Sequence, residues 1–250
     1  MGSGDVYKRQ NMQGVQMYPL GDAAIVLQFG DAINRATHLS IQAFTTALEA
    51  LPFAGFREYV PAFTTVTVYY DPWIVSRRGQ DDPYESVRQS LQQVLQQVKA
   101  HPEDNKIRFL DIPVCYGGKW GPDLELVAAL NEITCQEVIR LHAREDYLVY
   151  MLGFAPGFPY LGGMNDRIAA ARKDKPRARV PAGSVGIAGK QTGIYSIPSP
   201  GGWQLIGRTP LVLFDPRRES PSLLQAGDHI RFVPITEKEY ESKKEETHGT

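Results

Sequence analysis

The 250-residue sequence holds only two cysteines, Cys115 and Cys135, which form neither a CxxC pair nor a metal-type cluster. That excludes a disulfide framework, argues against zinc or another bound metal, and suits a reducing compartment. An excess of one charge is also missing. Lys and Arg number 27 against 28 Asp and Glu, so nothing draws the chain as a whole to nucleic acid or an anionic membrane. No apolar run approaches the roughly 18–20 residues of a membrane span, and the amino terminus lacks a basic-then-apolar signal pattern. The expectation is a cytoplasmic protein with no nucleic-acid or membrane partner. What is present is near-average globular composition, 42% hydrophobic and 22% charged, over a length that allows one or two domains, each with a real core.

The pattern along the chain predicts four parts. Residues 1–14 have no periodicity and are read as a leader, disordered or vector-derived. Residues 15–103 read as a small α+β domain. In it "VQMYPL" and "AAIVLQF" form a hairpin, Ile41, Phe44, Leu48 and Leu51 share one helical face, and "FTTVTVYYD" is a strand. Asp82, Pro83 and Glu85 open a second helix that presents Tyr84, Val87, Leu91, Val94 and Val98. The apolar pattern then stops over Lys99–Lys106, the linker candidate. Residues 104–235 change texture. After the strand "IRFLDIPVCY", a short helix opens at Gly121, Pro122 and Asp123 and carries Leu124, Val127 and Leu130. Thr134 and Glu137 cap another helix, with Cys135, Val138, Ile139 and His142 on one face. The remainder is short β runs broken by Gly and Pro, a barrel-like or sandwich-like pattern. Residues 236–250 are a polar tail expected to fray.

Two segments stand out chemically. Gly153–Gly163 packs four glycines, two prolines and the rings of Phe154, Phe158 and Tyr160 into eleven residues. Glycine opens backbone conformations closed to other residues and proline stiffens the path between them. The segment is therefore either a rigid loop presenting N–H groups beside an aromatic wall or a set of barrel corners whose rings plug the core. Lys175–Trp203 repeats the style with more charge. Arg177 and Arg179 lie two apart, on one side of a strand, where two guanidiniums can take a carboxylate or phosphate; the alternative is a solvated basic edge. Gly183, Gly186 and Gly189 match neither a Walker A loop nor a dinucleotide fingerprint, and Ser184 in "AGSVG" lacks the G-x-S-x-G elbow of a serine hydrolase. His142, on an apolar helix face, is either a hydrogen-bonded core residue or a proton-transfer group.

These motifs carry a resemblance. "YGGKWGPDLELVA", "EVIRLHAREDYLVYMLGFAPGFPYLGGM", "RARVPAGSVGIAGKQTGIYSIPSPGGWQLIGRTP" and "LLQAGDHIRFVPI" resemble, in this order, the allophanate hydrolase subunit 1 family, which includes the B subunit of 5-oxoprolinase and the kinase inhibitor KipI. The resemblance implies an α+β protein, a small N-terminal α+β domain followed by a cyclophilin-like β-barrel. It implies one component of an ATP-dependent 5-oxoprolinase that opens 5-oxo-L-proline to L-glutamate, with Mg accompanying the ATP. The partner would be the C subunit of 5-oxoprolinase, a protein of the allophanate hydrolase subunit 2 type. The competing readings are a KipI-like inhibitor of a sensor histidine kinase and a component of urea or allophanate hydrolysis. On the motif positions we assign substrate or phosphate binding to Arg177, Arg179, Lys190, Gln191, Gly183, Ser184 and Gly186. Pocket wall or partner contact falls to Tyr150, Phe154, Gly157, Phe158, Tyr160 and Trp203, and proton handling to His142.

Overall fold

A computed structural model describes residues 14–98 and 108–248; the linker and all but the last residue of the leader lie outside these. The chain divides into two compact units, Met1–Lys106 and Ile107–Thr250. No helix among the described residues is long and apolar enough to cross a membrane.

In the first unit, β1 (Gln16–Pro19) and β2 (Ala24–Gln28) form the expected hairpin. With β3 (Phe56–Pro61) and β4 (Thr65–Tyr70) they make an antiparallel sheet of order β1-β2-β4-β3. The helices are α1 (Arg35–Ala50), a single turn α2 (Pro72–Val75) and α3 (Pro83–Gln97). Asp82 caps α3 by accepting from the Glu85 N–H at 2.9 Å, and Pro83 costs nothing in a first turn whose N–H groups have no helical acceptor. Ile41, Phe44 and Leu48 of α1 meet Val87, Leu91 and Val94 of α3 over Ile25, Leu27, Val66 and Val68 in one core. Leu51 does not join them. It is the exposed C-cap of α1, past the last residue that keeps the helical phase. β3 escapes a periodicity reading because it is an edge strand with charged Arg57 and Glu58 side by side.

The second unit is a closed seven-strand barrel. Its strands are β5 (Phe109–Tyr116), β6 (Tyr147–Leu152), β7 (Pro159–Gly162), β9 (Ser184–Ala188), β10 (Gln191–Ile194), β12 (Gln204–Arg208) and β13 (His229–Pro234). They close in the order β10-β7-β6-β13-β5-β12-β9, and β8 (Arg177–Val180) with β11 (Ser199–Gly201) forms a separate ribbon. This is the α+β organisation anticipated, a small mixed unit followed by a barrel. β5 and β13 pair in parallel over six residues, from Phe109 opposite His229 to Val114 opposite Pro234. Helices α4 (Leu124–Leu130) and α5 (Cys135–Arg144) pack on the barrel. Thr134 caps α5 by accepting from the Glu137 N–H at 3.1 Å, while the Glu137 carboxylate turns to Arg140 rather than back to the cap. Val127, Val138 and Leu141 enter the core with Ile112, Val114, Val149, Ile187 and Phe232. Leu130 ends α4 pointing outward and stays exposed.

Of the tail expected to fray, the described part is helical instead. Thr236 and Glu239 hydrogen-bond each other reciprocally and start α6 (Glu237–His248), and Tyr240 is buried. A capping box and one aromatic ring outweigh a composition that otherwise favours solvent.

Candidate functional site

The two glycine- and proline-rich segments do converge. β7 pairs with β10, Tyr160 opposite Gly193, and the Ser196 hydroxyl donates to the Pro156 carbonyl at 2.6 Å. Phe158 lies edge-on to Tyr160, Tyr195 and Trp203, with ring centroids 5.3, 5.7 and 5.7 Å away. Gly193 lets the rings close in, since a Cβ there would lie 3.1 Å from both the Phe158 and Trp203 rings and press them apart by a few tenths of an ångström. Phe158 and Trp203 are buried with Val180, Tyr195 and Leu205 in a cluster separate from the barrel core, so they pack a second, smaller core rather than wall an open pocket. Tyr160 and Tyr150 are half-buried, Tyr150 lying against Gly162. Phe154 is the exception. It is 70% exposed and holds φ +65°, a left-handed conformation that is rare and costly for a bulky side chain. The turn Gly153–Phe158 fixes it there, through the Gly153 N–H to the Phe158 carbonyl and the Phe158 N–H to the Ala155 carbonyl.

The glycine N–H groups expected to face a ligand are instead spent on the barrel. The Gly183 N–H donates to the Tyr195 carbonyl at 2.7 Å, and Gly186 sits inside β9 between β10 and β12. Gly183 has φ +80°, and a Cβ there would lie 2.4 Å from the Thr209 carbonyl oxygen. Gly183→Ala should therefore cost about 3 kcal/mol in urea unfolding, from left-handed strain plus a clash with backbone. Ser184 is buried, its N–H on the Pro181 carbonyl and its own carbonyl accepting from the Tyr195 N–H. Gly157 lies under Phe214, whose Cβ a methyl group would meet at 2.9 Å.

Arg177 and Arg179 do not act as a pair. Arg177 donates through Nη2 to both Asp123 oxygens, each at 2.8 Å, and Lys173 reaches the same carboxylate at 3.2 Å. The Leu205 N–H adds a bond at 2.7 Å. Burial alone would raise the Asp123 pKa, but these donors outweigh it and hold the carboxyl below its ordinary range. Asp123 begins α4 as the sequence suggests, yet its side chain makes no capping bond because it is committed to Arg177. Arg179 is exposed, as are Arg172 and Lys175, and none of the three makes an ion pair among the described residues. Lys190 reaches Asp166 on the open surface at 2.8 Å, a weak contact, and Gln191 is half-buried at the start of β10.

His142 is fully buried. The Thr192 hydroxyl donates to the Gly186 carbonyl at 3.0 Å, so toward the His142 Nε2, 2.9 Å away, it can only accept. Nε2 therefore carries the proton and Nδ1 accepts from the Tyr116 hydroxyl at 2.8 Å. Burial drops the His142 pKa from 6.5 to about 3, which keeps the ring neutral. With both nitrogens occupied inside the core, His142 ties α5 to β5 and β10, and proton exchange with a substrate is not what this geometry offers. Sequence reading missed Asp123, Lys173 and Tyr195 as partners. An Asp beside a helix start was legible only as a cap.

Residues 15–224 match the family described as "Carboxyltransferase domain, subdomain C and D". The chain belongs to this family. Among its members it is 51% identical to the B subunit of 5-oxoprolinase from Bacillus subtilis, over 93% of this chain and 98% of that protein. It is 40% identical to the B subunit of 5-oxoprolinase from Escherichia coli O157:H7, over 90% of this chain and 99% of that one. The crystal structure of TTHA0988 superposes with a TM-score of 0.73 at 36% identity, over 85% of this chain but 40% of that chain. This family member thus spans well under half of that solved relative.

Proposed function

We propose that the chain is the B subunit of an ATP-dependent 5-oxoprolinase, opening 5-oxo-L-proline to L-glutamate beside a C-type partner and inactive without it. The near end-to-end identity with proteins named as the B subunit of 5-oxoprolinase carries this reading. A lactam carbonyl is a poor electrophile, and bound ATP would supply the phosphoryl group that turns its oxygen into a leaving group. The Gly183 N–H, a candidate phosphate donor, is already bonded to the Tyr195 carbonyl, and in this reading the nucleotide with its Mg is shared with the partner subunits.

What this chain offers is exposed cations without an ion pair among the described residues at Arg172, Lys175 and Arg179, of which Arg179 on β8 is suited to a substrate carboxylate, and an exposed ring at Phe154 suited to excluding water where subunits meet. ATP-dependent glutamate release from 5-oxoproline is the test, run with this chain alone and with its partner proteins. Turnover only in the mixture supports the reading, and none in any mixture refutes it. Within that assay Phe154→Gly should change stability by less than about 1 kcal/mol, because relief of the left-handed conformation offsets the lost edge contact with Phe158. Turnover of the assembled enzyme should fall at least tenfold; unchanged turnover would remove Phe154 from the site.

A further inference from the structure

α6 reads as EKEYESKKEETH and has no apolar stripe. A helix of this composition gains little from its own sequence and must be held by what it touches. Of its described side chains only Tyr240 is buried, at 2% exposure. Its ring stacks on Trp120 at 4.0 Å between centroids, with planes 36° apart. Lys119 pairs with Glu237 and also lies 4.8 Å from the Trp120 ring centroid, while the Arg208 guanidinium lies 5.8 Å from it. The receiving surface is therefore an indole flanked by two cations, and the helix laid on it is acidic with one aromatic anchor. The fit is incomplete, since the Trp120 indole N–H is buried without an acceptor. Burial raises the pKa of the Cys115 thiol on β5 below this contact, and the Glu237 and Glu241 carboxylates add to it.

We propose that Trp120, Lys119 and Arg208 form a docking face for an acidic polypeptide segment bearing one aromatic side chain. α6 occupies the face in cis, and a segment of the same chemistry from a partner protein replaces it. Charge complementarity and the seated helix identify the class of occupant. A segment that supplies an acceptor to the buried Trp120 indole N–H makes one bond that α6 does not. This inference does not depend on the 5-oxoprolinase reading.

Cys115 reports whether α6 is seated on this face. In the full chain carrying Cys135→Ser, so that Cys115 is the sole thiol, labelling by a disulfide reagent should be slow. Adding Tyr240→Ala should speed it at least tenfold while the melting temperature stays within a few degrees. A synthetic peptide of residues 235–248 should then slow labelling again in proportion to its concentration, and the same peptide with Ala at the tyrosine should not. Glu237→Lys, which leaves the core untouched, should speed labelling severalfold. Unchanged labelling in both variants overturns the proposal. So does accelerated labelling that millimolar peptide fails to slow, since Cys115 would then be exposed by general loosening rather than by vacating a docking face.

Discussion

Asp123→Ala is expected to destabilise the barrel unit by about 3–5 kcal/mol, because it leaves charges in a buried setting without their counter-ion. The side chains of Asp123, Arg177 and Lys173 are 7%, 25% and 28% exposed, so water compensates little. The Leu205 N–H loses its acceptor as well. For a unit of this size the loss corresponds to a fall in Tm of roughly 10 °C by calorimetry. Asp123→Asn keeps an acceptor for the Leu205 N–H and should cost about half as much. Adding Arg177→Leu to Asp123→Ala should restore part of the loss, since the pair then disappears together, and additive losses would show that the two residues are not coupled. The pH dependence has a definite sign. A carboxyl whose folded pKa is depressed contributes fully above the ordinary carboxylate range, and that contribution is lost as pH falls through the folded value. Asp123 thus strengthens the fold at neutral pH and weakens it only in acid.

His142 should make the barrel lose stability well before acid reaches the carboxylates. The unfolded ring binds a proton near pH 6.5, whereas the buried ring resists until about 3. The unfolded state therefore takes up one proton more throughout that window, and stability falls by about 1.4 kcal/mol per pH unit as pH decreases. Between pH 7 and pH 5 the loss is about 2 kcal/mol by urea unfolding. His142→Gln can still donate to Thr192 and accept from Tyr116, so it should be less stable at neutral pH yet lack this share of the slope. Nuclear magnetic resonance of the His142 ring gives a check that does not rely on a variant: its C2–H shift should stay constant down to pH 5. A titration centred near 6.5 would show the ring open to solvent and would return it to the candidates for proton transfer.

Neither prediction was available from spacing alone. Caps and helical faces repeat over three or four residues, so Thr134 with Glu137 and Asp82 with Pro83 announced α5 and α3. β3 was silent because an edge strand has no duty to alternate. Arg177 was recognised as a cation that binds a carboxylate, and it does bind one, but the carboxylate is its own chain's Asp123, 54 residues away.

The sequence by itself determined the α+β class, the change of texture between the two units, the caps and the family motifs, because each of these is set by neighbours along the chain. The tertiary structure alone decided which side chains remain for chemistry. Closing seven strands into a barrel consumed the Gly183 and Gly186 backbone, sealed His142 between Tyr116 and Thr192, and left Arg179 and Phe154 outside. Hydrogen-bond capacity and burial are shared out between residues distant in sequence, and strand register, which no local pattern specifies, does the sharing.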